Sequence, residues 1–85
     1  MKVKVTGSNL CQDTLYAIIK LKEKDVQVDF QNISVDFGAL KAFMKIRESS
    51  SLYDQVKEND GLGIPLFELE DGTQTLDLQE VLAKA

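Results

Sequence analysis

Gly7-Ser8-Asn9-Leu10-Cys11-Gln12-Asp13-Thr14 is the stretch on which the fold turns. Before it, Lys2-Val3-Lys4-Val5-Thr6 alternates polar and apolar residues, the period of a half-buried strand. After it the period changes. Apolar positions fall at Leu15, Ile18 and Ile19, and the stem of Lys22 completes a helical stripe. This spacing predicts a helix from Cys11 or Gln12 to about Lys24. Gly7, Ser8 and Asn9 are turn residues, so Cys11 stands where a strand ends and a helix begins.

Working outward, Val26-Gln27-Val28-Asp29-Phe30 alternates again and reads as a second strand. Leu40, Phe43, Met44 and Arg47 mark a second helix, opening near Asp36 and closing at Ser49-Ser50-Ser51. Ser51, with Asp54 three residues on, resembles a capping box for a short helix through Val56. Asn59-Asp60-Gly61-Leu62-Gly63 is a strong loop signal. Ile64 to Leu69 reads as a strand, Asp71-Gly72 as a hairpin turn, and Thr73 to Leu76 as the returning strand. Asp77 caps a last helix whose apolar positions are Leu78, Val81 and Leu82.

The resulting order is β-α-β-α-β-β-α in one domain, residues 1–85. Strands separated by a helix lie parallel through a right-handed crossover, and the hairpin strands are antiparallel. The expected class is therefore α/β, a four-stranded mixed sheet flanked by helices.

Composition removes several function classes. A formal charge of −4 and a pI near 4.6 oppose nucleic-acid binding, which needs a cationic surface. Apolar runs are far shorter than a membrane span, and the strand-like start after Met1 is no signal segment, so a cytoplasmic protein is expected. A single cysteine excludes an internal disulfide framework and suits a reducing compartment. With no histidine, Cys-His and Ser-His catalysis and most metal sites are lost.

Chemistry has two places left. At Cys11, free backbone N–H groups and the helix dipole favour negative charge on sulfur, while Asp13 in the same turn opposes it. The alternative reading is a small buried apolar residue, as free cysteines often are. The second place is Ile64-Pro65 at a strand start, where proline needs no ladder partner and a cis peptide would fit. Both fall at one end of the sheet.

Cys11-Gln12-Asp13-Thr14 at a strand-to-helix junction, Ile64-Pro65 opening a strand, and Asp71-Gly72 in the next hairpin resemble the thioredoxin superfamily. More closely, the chain is similar to short bacterial glutaredoxin-related proteins. Gly7-Ser8 before the cysteine, the run Leu40-Lys41-Ala42-Phe43-Met44-Lys45-Ile46-Arg47, and Val56-Lys57 ahead of Gly63-Ile64-Pro65 carry that likeness. The resemblance implies a thioredoxin/glutaredoxin-like fold with Cys11 as the attacking thiol and Pro65 as a cis-proline. It also implies that Ile64 offers its backbone to glutathione or a substrate chain. Thr14 replaces the resolving cysteine, so the implied chemistry is monothiol, with glutathione as co-substrate and no bound cofactor. Thr14 would donate its hydroxyl to the sulfur. Lys41, with Lys45 and Arg47, would meet glutathione carboxylates. Asp77 would be a weaker glutathione contact, against its simpler role as a helix cap.

Departures from the family are equally concrete. The loop before Cys11 carries no lysine, and Thr75-Leu76-Asp77 stands where glutaredoxins carry Gly-Gly before an acid. Gln12-Asp13-Thr14 also differs throughout from the C-G-F-S of cluster carriers. The expected function is a monomeric monothiol oxidoreductase acting on glutathione or protein mixed disulfides. The alternative is a catalytically weak binding module for a peptide or thiol ligand.

Overall fold

A computed structural model describes residues 1–85. The chain forms β1 (Lys2–Gly7), α1 (Gln12–Glu23), β2 (Gln27–Asn32) and α2 (Phe37–Ser49). A 3-10 turn (Ser51–Tyr53) runs into α3 (Asp54–Glu58), followed by β3 (Leu66–Leu69), β4 (Gln74–Thr75) and α4 (Leu78–Lys84). The four strands make one open mixed sheet in the order β2-β1-β3-β4. β1 pairs parallel with β2, Val5 opposite Phe30, and antiparallel with β3, Val5 opposite Phe67. β3 and β4 are antiparallel, with Phe67 opposite Thr75.

Strand alternation sends side chains to two different cores. On one face Val3, Val5 and Phe67 pack with Ala17 and Leu21 of α1, Val26, and Val81 of α4. On the other, Leu66 packs with Phe43 of α2 and Tyr53. The Phe43 and Tyr53 rings meet edge to face, centroids 5.8 Å apart. A polar row crosses that second face through all four strands: Asp29, Lys4, Glu68 and Gln74 stand in register. It marks the part of the sheet that α2 leaves open.

Four local expectations are corrected. The buried stripe of α1 is Thr14, Ala17, Ile18 and Leu21, whereas Leu15, Ile19 and Lys22 face outward. Apolar residues stand at 15 through 19 and at 21, so periodicity alone did not fix the helix phase. Contact with β1 fixes it, because Thr14 lies against Gly7 and Ala17 is fully buried. In α2, Met44 lies outward while Ala39 is buried with Phe43. The serine that caps the 3-10 turn is Ser50, whose hydroxyl accepts from the Leu52 N–H at 3.2 Å, and not Ser51. The third strand begins at Leu66, because Ile64 and Pro65 have no ladder pairing, and the fourth shortens to Gln74–Thr75.

Helix starts at Asp36 and Asp77 are side-chain caps. Asp36 accepts from the Ala39 N–H at 3.1 Å and Asp77 from the Gln79 N–H at 2.9 Å. No helix is long and apolar enough to cross a membrane.

Candidate functional site

Topology gathers the candidate residues at one end of the sheet. β1, β2 and β4 finish there and β3 begins there, with Thr6 of β1 opposite Leu66 of β3. Cys11 therefore leaves β1, and Ile64-Pro65 enters β3, at the same end.

The loop that delivers Cys11 is tied down on three sides. Ser8 anchors it: its N–H donates to Thr14 Oγ1 (3.4 Å), its carbonyl accepts from the Cys11 N–H (3.1 Å), and its hydroxyl accepts from the Leu10 N–H (3.0 Å). The same hydroxyl meets that of Ser34 in the β2–α2 loop. Beside it, Asn32 Nδ2 donates to Asn9 Oδ1 (3.1 Å), and the Ile33 N–H to the Gly7 carbonyl (2.9 Å). Cys11 is the N-cap residue of α1, in extended conformation, a free cysteine that is half-buried as a residue. Its carbonyl accepts from the Leu15 N–H (3.1 Å). Cys11 thus opens the helix, but its sulfur takes no cap hydrogen bond from the N–H groups of the first turn.

Thr14 sits elsewhere than its expected role required. It is fully buried, its oxygen accepts from the Ser8 N–H, and no hydrogen bond joins it to the thiol. A Cβ on Gly7 would lie 2.6 Å from Thr14 Cγ2, so only glycine admits this contact. Thr14 shapes the cysteine loop from beneath.

The proline side is held by Tyr53 of the second core and by Arg47 of α2. Tyr53, on the 3-10 turn, donates its hydroxyl to the Gly63 carbonyl at 2.7 Å. Burial pushes this phenol up to about 12, with Arg47 pulling it down and Glu68 adding to the rise. Arg47 donates to the Gly61 carbonyl (2.6 Å) and the Leu62 carbonyl (3.1 Å). Three successive carbonyls, of Gly61, Leu62 and Gly63, thereby each have a side-chain donor. Ile64, next in line, has no partner within the chain for its N–H or its carbonyl. The Ile64–Pro65 peptide is cis.

Between α1 and this segment lies a groove of about 270 Å³, lined by Asp13, Tyr16, Ala17, Ile64, Pro65, Phe67, Leu76 and Leu78. Six of those eight residues are hydrophobic, and Asp13 is the one charged group. Asp77 lies between two lining residues while its carboxylate is used as a cap.

Lys41 is not part of the groove. Its Nζ lies 5.7 Å from the centroid of Phe37, and it lines a depression on the outer side of α2 with Ala42, Met44, Lys45 and Glu48. Arg47 reaches the proline loop, where its Nε and Nη2 donate to carbonyls. No cluster of three or more Cys, Asp or Glu is placed to hold a metal ion. Sequence reasoning missed Tyr16, Leu76 and Leu78 as groove walls and Tyr53 and Arg47 as clamps. The one hint was Gly61-x-Gly63 before Pro65, carbonyls with no strand to pair them.

No protein-family model matches the chain, and no solved structure matches it. A protein of Haemophilus influenzae described as an uncharacterized protein is 35% identical over 71 residues, which span 84% of this chain and 83% of that protein. The chain belongs to the same family as that Haemophilus influenzae protein.

Proposed function

We propose that the protein is a monothiol thiol–disulfide oxidoreductase of the glutaredoxin-related kind, on a thioredoxin-like fold, acting on glutathione or protein mixed disulfides. The observation that carries this reading is the pairing of a partly exposed Cys11 at a helix start with an unpartnered Ile64 backbone at the same sheet end. Cys11 supplies the nucleophile. The free N–H and carbonyl of Ile64 take up an extended substrate as an added strand would, and Pro65 forms the wall beside it.

The chemistry balances without a second cysteine. The Cys11 thiolate attacks one sulfur of a mixed disulfide, and a new S–S bond forms as the old one breaks. The other half leaves as a thiolate and takes a proton from water. An external thiol such as glutathione then attacks the adduct, leaves as a disulfide, and returns Cys11 to the reduced state. The reductant is that external thiol. No resident cofactor enters the cycle, and a reducing cytoplasm supplies the thiol.

Turnover of a glutathionylated peptide by the reduced protein tests this reading. Release of peptide thiol that disappears in Cys11→Ser supports it, and no release above the uncatalysed exchange rate overturns it. A binding module is the second reading, favoured by the groove's lack of any cation for glutathione carboxylates. It predicts that Cys11→Ser retains its partner.

A further inference from the structure

The groove beside Pro65 is apolar on six of its eight lining residues, and its one ionisable group besides the Tyr16 phenol is the Asp13 carboxylate. Asp13 makes no hydrogen bond or ion pair within the chain, stands exposed in the first turn of α1, and is two residues from Cys11. The nearby cations have partners of their own. Lys20 lies over the Tyr16 ring at 5.5 Å and pairs with Glu23, and Arg47 is bound to the Gly61 and Leu62 carbonyls. The loops at this sheet end also expose Leu10, Val35 and Leu62, and Phe37 is exposed at the start of α2. Glutathione brings two carboxylates and one ammonium to any site. Here it would meet a carboxylate and apolar walls, with no lysine or arginine among the lining residues.

Resting on the reading of Cys11 as nucleophile, the geometry points to a polypeptide as the half of the mixed disulfide that this site seats. An apolar side chain beside the substrate cysteine enters the groove, and a lysine or arginine close to it pairs with Asp13. Cys11 then attacks the peptide sulfur, forms the peptide–Cys11 disulfide, and releases the small thiol as a thiolate that takes a proton from water. Asp13 is the specificity-determining residue. As an acid in a first helical turn it also favours the α1 dipole, but that role is blind to the charge of a substrate.

The test uses cysteine peptides held as mixed disulfides with 2-mercaptoethanol, differing only in the neighbours of cysteine: Leu and Lys, Leu and Glu, or Ser and Lys. Exchange with the reduced protein is followed by mass spectrometry. The Leu-Lys peptide is expected to form its Cys11 adduct about five-fold faster than the Leu-Glu peptide, with the gap closing at high salt. Asp13→Asn is expected to level the two, and Asp13→Lys to reverse them. The Ser-Lys peptide is expected to be slower than Leu-Lys in every variant. Equal rates for the three peptides in the unaltered protein would overturn the inference while leaving Cys11 a working nucleophile. No exchange with any peptide, nor with the symmetric disulfide of 2-mercaptoethanol, would overturn the nucleophile reading and this inference with it. Asp13 is exposed, and circular dichroism of the variants checks that the fold is unchanged.

Discussion

The Tyr53 hydroxyl donates to the Gly63 carbonyl at 2.7 Å, so a side chain of the second core fixes the backbone just ahead of Ile64-Pro65. The contact is close enough to dictate sequence. Gly63 has φ +85°, and a Cβ there would lie 2.8 Å from Tyr53 Cδ1. The proline loop is thus positioned by packing beneath it.

Tyr53→Phe keeps the ring and its edge-to-face contact with Phe43 and removes only the hydroxyl. Denaturant unfolding should show a loss of about 1–2 kcal/mol, because the Gly63 carbonyl loses its partner. An unchanged stability would mean that water replaces the bond without cost.

Alkaline pH should weaken the fold through the same phenol. Its ordinary value of 10 is raised to about 12 by burial, so the unfolded chain releases the proton first. Stability from this group is present in full below pH 10 and is lost as pH rises from 10 towards 12. Unfolding free energies measured across that range should fall more steeply for the unaltered protein than for Tyr53→Phe.

Gly63→Ala should cost roughly 2 kcal/mol or more, since it combines a left-handed backbone with a clash against the Tyr53 ring. Thermal melting reads the loss. A variant as stable as the parent would show that the loop shifts freely, and the clamp would then have no structural role.

Thr14→Val preserves shape at a buried position but removes the acceptor for the Ser8 N–H. A loss of about 1–2 kcal/mol is expected, with faster amide exchange at Ser8 and Leu10, and Thr14→Ser should restore most of it. A loosened cysteine loop should also lower the exchange rate of Cys11 more than a shift in stability alone explains.

Much of this architecture was legible because the residue period switches cleanly. Alternation in Lys2–Thr6 gives way to helical spacing after Cys11 and returns at Val26. Asp77 announced its helix by cap chemistry and performs it, and the second helix opens where its spacing placed it, after Asp36. The face of α1 was not legible, because a helix apolar at positions 15 to 19 has no unique stripe. Only the close approach of Thr14 to Gly7 selects one. Ser50 and Ser51 were indistinguishable as caps in a run of three serines. The groove joins Tyr16 to Leu76 and Leu78, residues about sixty positions apart, and no local pattern links them. Arg47 fitted an anion-binding cation equally well until its carbonyl partners were known.

The account rests on Cys11 as a nucleophile, and single-turnover exchange measures that directly. Reduced protein is mixed with a glutathionylated peptide, and the adduct on Cys11 is timed by mass spectrometry against a free cysteine in an unstructured peptide, with Cys11→Ser as blank. The account predicts one adduct per chain, confined to Cys11 and formed at least ten-fold faster than on the free cysteine, a gap of about 1.4 kcal/mol in the barrier. A rate equal to or below that of the free cysteine would contradict it.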